Sequence, residues 1–167
     1  MIRIGLLSDT HGYIHPKVFD FFKEVDEIWH AGDIGNLETA KNLASFKPLY
    51  AVYGNIDGHD LRVSLPENRI FIREGLKILM THIGGYPGRY AKGIKEILIR
   101  EKVKLFISGH SHILKVMNDK KLNLLHVNPG AAGKNGLHHV ITFTRFTVDK
   151  GRIADLEIME IERASLQ

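Results

Sequence analysis

Three short apolar runs fill the first third of this chain, and each stops at a polar loop. Ile2-Arg3-Ile4-Gly5-Leu6-Leu7 stops at Ser8-Asp9-Thr10-His11. Asp26–Ala31 stops at Gly32-Asp33-Ile34-Gly35-Asn36, and Pro48–Tyr53 at Gly54-Asn55-Ile56-Asp57-Gly58. Between the runs the spacing turns helical. Pro16 is placed to open a helix through Phe19, Phe22 and Lys23, because its fixed φ suits a first helical turn. Glu38–Ala44 sets Leu37, Ala40, Leu43 and Ala44 on one side. The order β-α-β-α-β predicts a parallel sheet with right-handed crossovers. In such sheets ligands gather outside the carboxyl ends of the strands, where these loops fall.

Beyond residue 60 the pattern changes. Asn68–Ile72 and Leu76–Thr81 are strand runs split by Arg73-Glu74-Gly75, a hairpin signal, and His82 ends the second. Ile83–Tyr90 is glycine-rich loop, Ala91–Glu101 a helix, and Val103–Ile107 a buried strand that ends in Ser108-Gly109-His110-Ser111-His112. Ile113–Met117 pairs with Leu122–Val127, and Asn128–Gly133 is a tight loop. His139–Val148 and Ile153–Ile161 form a last hairpin, followed by a tail from Arg163. This order fits two sheets with flanking helices, a four-layer α/β/β/α sandwich, in one domain over residues 1–167.

Composition narrows the chemistry. The chain has no cysteine, so disulfides, zinc–thiolate sites and thiol catalysis are excluded. The net charge of +4 is spread over scattered lysines and arginines, without the dense basic stripe of a nucleic-acid reader. Nucleic acid is therefore not expected as a partner. With no apolar 20-mer or signal peptide, no membrane partner is expected either, and a cytoplasmic location is.

Five strand ends carry residues able to bind metal: Asp9 with His11, Asp33, Asn55, His82, and His110 with His112. Carboxylates and imidazoles without thiols suit a pair of hard or borderline divalent cations. Asp9, His11 and His112 are read as one ligand set, and Asn55, His82 and His110 as the other. Asp33 would lie between, its two oxygens spanning the roughly 3.5–4 Å that separates paired metals. His110 and His112 alternate, so a local twist is needed to aim them at different ions. Trp29, Phe19 and Phe22 read as core, as does His30; His126, His138 and His139 carry no motif.

Asp9-x-His11, Gly32-Asp33, Gly54-Asn55-x-Asp57, His82 and Gly109-His110-x-His112 together resemble the five blocks of the calcineurin-like metallophosphoesterase superfamily. The short length and the Gly-Asn-x-Asp form are similar to its compact YfcE-type phosphodiesterase branch. The resemblance implies two divalent ions, manganese first with nickel, zinc or iron as alternatives, whose shared hydroxide attacks a phosphoester in line. Asn55 and His82 would stabilise charge on the phosphoryl oxygens. Two departures stand out. Larger relatives place a histidine where this chain has Ile56, leaving Asp57, His59 or Asp60 as stand-ins. They also read Gly-His after the block of His82, where this chain has a loop whose Arg89 could clamp phosphate and whose Tyr86 and Tyr90 could stack a base. A missing proton donor favours a leaving group stable as an anion, hence a small aryl or nucleotide-like phosphodiester. The alternative is a non-catalytic scaffold on the same fold, like retromer's small subunit. Homo-oligomers are compatible with either.

Overall fold

The computed structural model describes residues 1–166. In chain order the elements are β1 (Ile2–Leu7), α1 (Lys17–Phe21), β2 (Glu27–His30), α2 (Leu37–Phe46), β3 (Leu49–Ala51), α3 (His59–Ser64), β4 (Asn68–Arg73) and β5 (Leu76–Thr81). There follow β6 (Gly85–Tyr86), β7 (Arg89–Tyr90), α4 (Ile94–Arg100), β8 (Leu105–Ile107), β9 (Leu114–Asp119), β10 (Leu124–Pro129), β11 (Val140–Asp149) and β12 (Arg152–Glu162). Arg163–Leu166 closes in a 3-10 turn, and Gln167 of the expected tail lies outside the described residues.

The strands form two five-stranded sheets, ordered β12-β11-β1-β2-β3 and β4-β5-β8-β10-β9, plus the small β6-β7 ribbon. Both large sheets are mixed. β1, β2 and β3 run parallel, as the β-α-β-α-β order requires, while β11 lies antiparallel on the free side of β1. In the second sheet β5, β8 and β10 run parallel, and β4 and β9 pair antiparallel at the edges.

Strands buried on both faces read as continuous apolar runs, and β1 shows why. Ile4 and Leu6 point between the sheets, where they meet Trp29, Ile78, Met80, Leu105 and Ile107. Leu7 faces the other way, packing with Val18 and Phe22 near α1 and with Leu43 of α2. On the far side Ile94 and Leu98 of α4 cover Leu79, Phe106 and Leu124. The result is a four-layer α/β/β/α sandwich, and β1, β2, β5 and β8 all bring their carboxyl ends to one rim.

Local departures have local causes. β3 ends at Ala51, two residues before the expected end, because the chain turns there toward the Gly54 loop. α3 was not legible: of its six residues only Leu61 is buried, so it has no apolar periodicity to read. The glycine-rich loop contains the β6-β7 ribbon, with Arg89 in β7. That helix starts later than expected, at Ile94, after Gly93 takes a left-handed φ of 84°.

Candidate metal centre

The rim is held in an unusual backbone state. Asp9, His11, Asp33, His110 and His112 all have positive φ, between 47° and 71°. Left-handed backbone costs a residue with a Cβ about 1–2 kcal/mol, and such strain collects at functional sites. Both Asp9-x-His11 and His110-x-His112 are therefore left-handed turns, which supply the twist that the second pair needs. Loop-to-loop bonds hold these turns: Asp9 N–H donates to Gly32 O at 2.9 Å, His11 N–H to Asp33 O at 3.0 Å, and Gly109 N–H to His82 O at 3.0 Å. Gly54 and Gly109 serve close approach instead, since neither has a positive φ. A Cβ on Gly54 would overlap the Asp33 carboxylate, and one on Gly109 would overlap Ser8 Oγ.

Two triads of ligand-type side chains converge there, Asp9 with His11 and His112, and Asp33 with His82 and His110; the ligand atoms within each lie within 4.8 Å of one another. His112 Nε2 is 3.2 Å from Asp9 Oδ1, and His82 Nε2 is 3.1 Å from Asp33 Oδ2. The triads share a boundary: Asp33 Oδ2 is also 3.6 Å from His11 Nε2, and Asp9 Oδ1 is 3.8 Å from His82 Nε2. Asn55 sits at the exposed edge, its Oδ1 3.0 Å from His110 Nδ1.

Each buried ligand is fixed through its other atom. Asp9 Oδ2 accepts from Ser8 Oγ–H at 2.7 Å and from His110 N–H at 3.1 Å, leaving Oδ1 free. Asp33 Oδ1 accepts from Ile56 N–H at 3.0 Å, which fixes the carboxylate with Oδ2 turned between the triads. His82 Nδ1 lies 2.8 Å from Ala31 O. A carbonyl only accepts, so in neutral His82 the proton is on Nδ1 and Nε2 offers a lone pair to the cluster.

His138, which no motif marked, extends this logic. Its Nε2 donates to Gly133 O at 2.8 Å, so its Nδ1, 3.2 Å from His112 Nδ1, accepts from that atom. In neutral His112 the proton then sits on Nδ1, and Nε2 is the nitrogen free to bind a cation beside Asp9. His30 is core, as expected. It is fully buried, held by Thr10 Oγ1 and Gly32 N–H, and burial pushes its pKa down to about 4.

The charges are strongly coupled. Burial pushes the Asp9 carboxyl up, but His11, His112, His82 and the Ser8 hydroxyl overcome it and hold Asp9 well below the usual range. Burial likewise raises Asp33, and His82 and the Ile56 amide bring it down. His11 is raised by Asp9 against its own burial; His82, lowered by burial, is raised on balance by Asp33 and Asp9.

Three candidates need correction or relocation. Asp57 is no proton donor: its buried carboxylate accepts from the N–H groups of Ile34, Gly35 and Gly54, so it clasps two loops together. Tyr90 lies outside the cleft beside His110: its ring packs edge to face with Phe106, and its hydroxyl donates to Asp119 Oδ2 at 2.6 Å. Arg89 is exposed and lines the same cleft as His110.

This fold and this cluster define a class, and comparison with known proteins names it. Residues 2–151 match the calcineurin-like phosphoesterase superfamily domain. The chain belongs to that superfamily. It is 30% identical over 135 residues to a protein of Methanothermobacter thermautotrophicus named a probable metallophosphoesterase, an alignment covering 77% of this chain and 76% of that one. The structure of a novel archaeal phosphodiesterase aligns with a TM-score of 0.74 at 22% identity, over 96% of this chain and 100% of the other. Vps29 of Entamoeba histolytica in complex with zinc aligns with a TM-score of 0.71 at 18% identity, over 97% and 99%. At these identities the two structures are evidence of fold alone.

Proposed function

We propose that this chain is a dinuclear-metal-dependent phosphoesterase that prefers diesters, acting in the cytoplasm as one domain. The observation that carries the reading is a set of three buried atoms, Asp9 Oδ1, His11 Nε2 and His82 Nε2, that have no hydrogen-bond partner. Each unpaired buried group costs about 1–3 kcal/mol, and all three sit where the two triads face each other. A pair of cations satisfies them. The archaeal relative is described as a phosphodiesterase and the Entamoeba protein as a zinc complex, which is in line with this reading without deciding the substrate or the metal.

In this reading Asp9, His11 and His112 would hold one ion, and His82, His110 and Asn55 the other, with Asp33 contributing its carboxylate between them. Manganese is the first choice and nickel, zinc or iron the alternatives, all compatible with oxygen and imidazole donors. Such a pair supplies Lewis acidity and a nucleophile at neutral pH. The protein supplies placement: Ser8, Ile56 N–H, Ala31 O and His138 fix which atom of each ligand faces inward. Asn55, at the exposed edge, has an amide able to donate to a phosphoryl oxygen, and Arg89 stands at the cleft mouth with its fork of donors. The Ile56 position contributes a backbone N–H to Asp33 rather than a proton to the leaving group. With Asp57 engaged by three backbone amides, and with His59 and Asp60 exposed in the first turn of α3 and absent from the lining of the His110 cleft, departure depends on the leaving group's own stability as an anion.

The test is a panel under manganese, nickel, zinc and magnesium. Bis(p-nitrophenyl) phosphate should be hydrolysed faster than p-nitrophenyl phosphate. A consistent monoester preference would reject the diester assignment, and inactivity with every metal would reject the enzyme.

A further inference from the structure

A cavity of about 320 Å³ opens beside the second triad, and His110 belongs to both. Its floor is the outer face of the second sheet, where Lys115 of β9 stands opposite Asn128 of β10, and His126 lies one pleat further along β10. Its roof is the β6-β7 ribbon, with Tyr86 and Arg89 turned to the cleft. Ser108 Oγ–H ties the roof down by donating to Gly85 O at 3.1 Å. The Lys115 ammonium lies 3.6 Å from the centre of the Tyr86 ring and so braces that ring as a side wall.

His126 is the unexplained group. It is 1% exposed, and its Nδ1 donates to Phe106 O at 3.0 Å, which places the proton there and leaves Nε2 as a bare acceptor. Nε2 is buried and has no partner. Burial, helped by the nearby Lys115 charge, holds the ring near a pKa of about 4, so at neutral pH it accepts and does not donate. The His126 ring lines the cavity, and a ring kept only for packing gains nothing from an unsatisfied nitrogen just behind that wall; an apolar ring would serve better there.

Resting on the phosphodiesterase reading, we propose that this cavity receives the nucleoside arm of a nucleotide-type phosphodiester while its phosphorus sits at the triads. Each wall matches one part of such a group. The His126 lone pair accepts from a sugar hydroxyl or a base N–H, the Tyr86 ring lies along the body of the arm, and Arg89 and Lys115 supply positive charge toward phosphate. A purely apolar aryl arm would leave Nε2 unpaired. An anion without a donor would meet an acceptor at the inner wall.

The full chain without added metal is titrated with adenosine 5′-monophosphate, and in parallel with methyl phosphate, which lacks the arm. Histidine-ring NMR signals report the site. The nucleotide should bind about tenfold more tightly, the value of roughly one buried hydrogen bond, and should move the His126 ring saturably, while methyl phosphate should not. His126→Leu should erase most of the nucleotide's advantage. Because that variant also strips Phe106 O of its partner, Lys115→Ala on the rim provides a second reading, with an expected loss of about threefold. Equal affinity for the two probes, or a nucleotide that shifts only the triad histidines, would overturn the proposal. No turnover is read, so these outcomes are separate from the hydrolysis panel: a chain that binds the nucleotide through His126 yet hydrolyses nothing would contradict the enzyme reading and leave this site standing.

Discussion

Asp33 places one carboxylate oxygen between the two triads. Its Oδ2 lies 3.1 Å from His82 Nε2 and 3.6 Å from His11 Nε2, one histidine from each triad. Asp33→Asn keeps the shape and removes the charge that two ions would share under the proposed function, so activity should fall by about a hundredfold or more, further than for alanine at any single histidine. Parallel steady-state kinetics on these variants decide it, and near-normal turnover in Asp33→Asn would show that the two ions share some other group. His138 acts through His112. Removing an outer partner of a ligating histidine typically weakens metal binding about 10–100-fold, so His138→Ala should lose metal from one site to a competing chelator while the other retains it. Unchanged retention at both would make His138 a packing residue. The side chains of the two triads and their strand-end positions were legible in the chain because few side chains suit borderline metals and few loops end buried strands. His138 was not, since its part depends on a loop folding back from residue 133. Asp57 misled for a related reason: a carboxylate beside a ligand looks the same in sequence whether it faces substrate or three backbone amides.

At the scale of elements, the β6-β7 ribbon decides how the cleft is closed. It is tied at Gly85 by Ser108 and at Tyr90 by Asp119, so it is a braced wall with Arg89 exposed at its edge. Arg89→Ala should lower kcat/KM on the best diester by about tenfold, the size of one charge-assisted contact, and leave metal content intact. Unchanged kinetics would return Arg89 to an ordinary surface role. The ribbon was hidden in the sequence because two-residue strands carry no periodicity, and α3 because it buries a single side chain. β1, β2, β5 and β8 were readable for the opposite reason: buried on both faces, they are apolar along most of their length.

Across the whole molecule, two buried histidines set the response to acid. His30 and His126 are both neutral, with pKa pushed down to about 4 by burial. Unfolded histidine titrates near 6.5, so between about 6.5 and 4 the unfolded chain binds more protons than the folded one. The stability they allow is complete above that window and lost as pH falls through it, at about 1.4 kcal/mol per pH unit for each ring. His11 and His82 have the opposite sign. Their pKa values are raised, so their contribution to the metal-free protein is present below about 6.5 and is lost as pH rises through their folded values. Denaturant unfolding of metal-free protein should therefore show lower stability at pH 4.5 than at pH 6.5. A flat profile would mean that the two buried rings are hydrated. Among the described residues no helix is long and apolar enough to cross a membrane.

The paired triads are most directly tested by titrating metal-free protein with manganese while following hydrolysis of bis(p-nitrophenyl) phosphate. Two facing sites with a shared carboxylate oxygen require activity to climb until about two ions are bound per chain and then level off. Full activity at one ion, or saturation with no ion bound, would contradict a dinuclear centre.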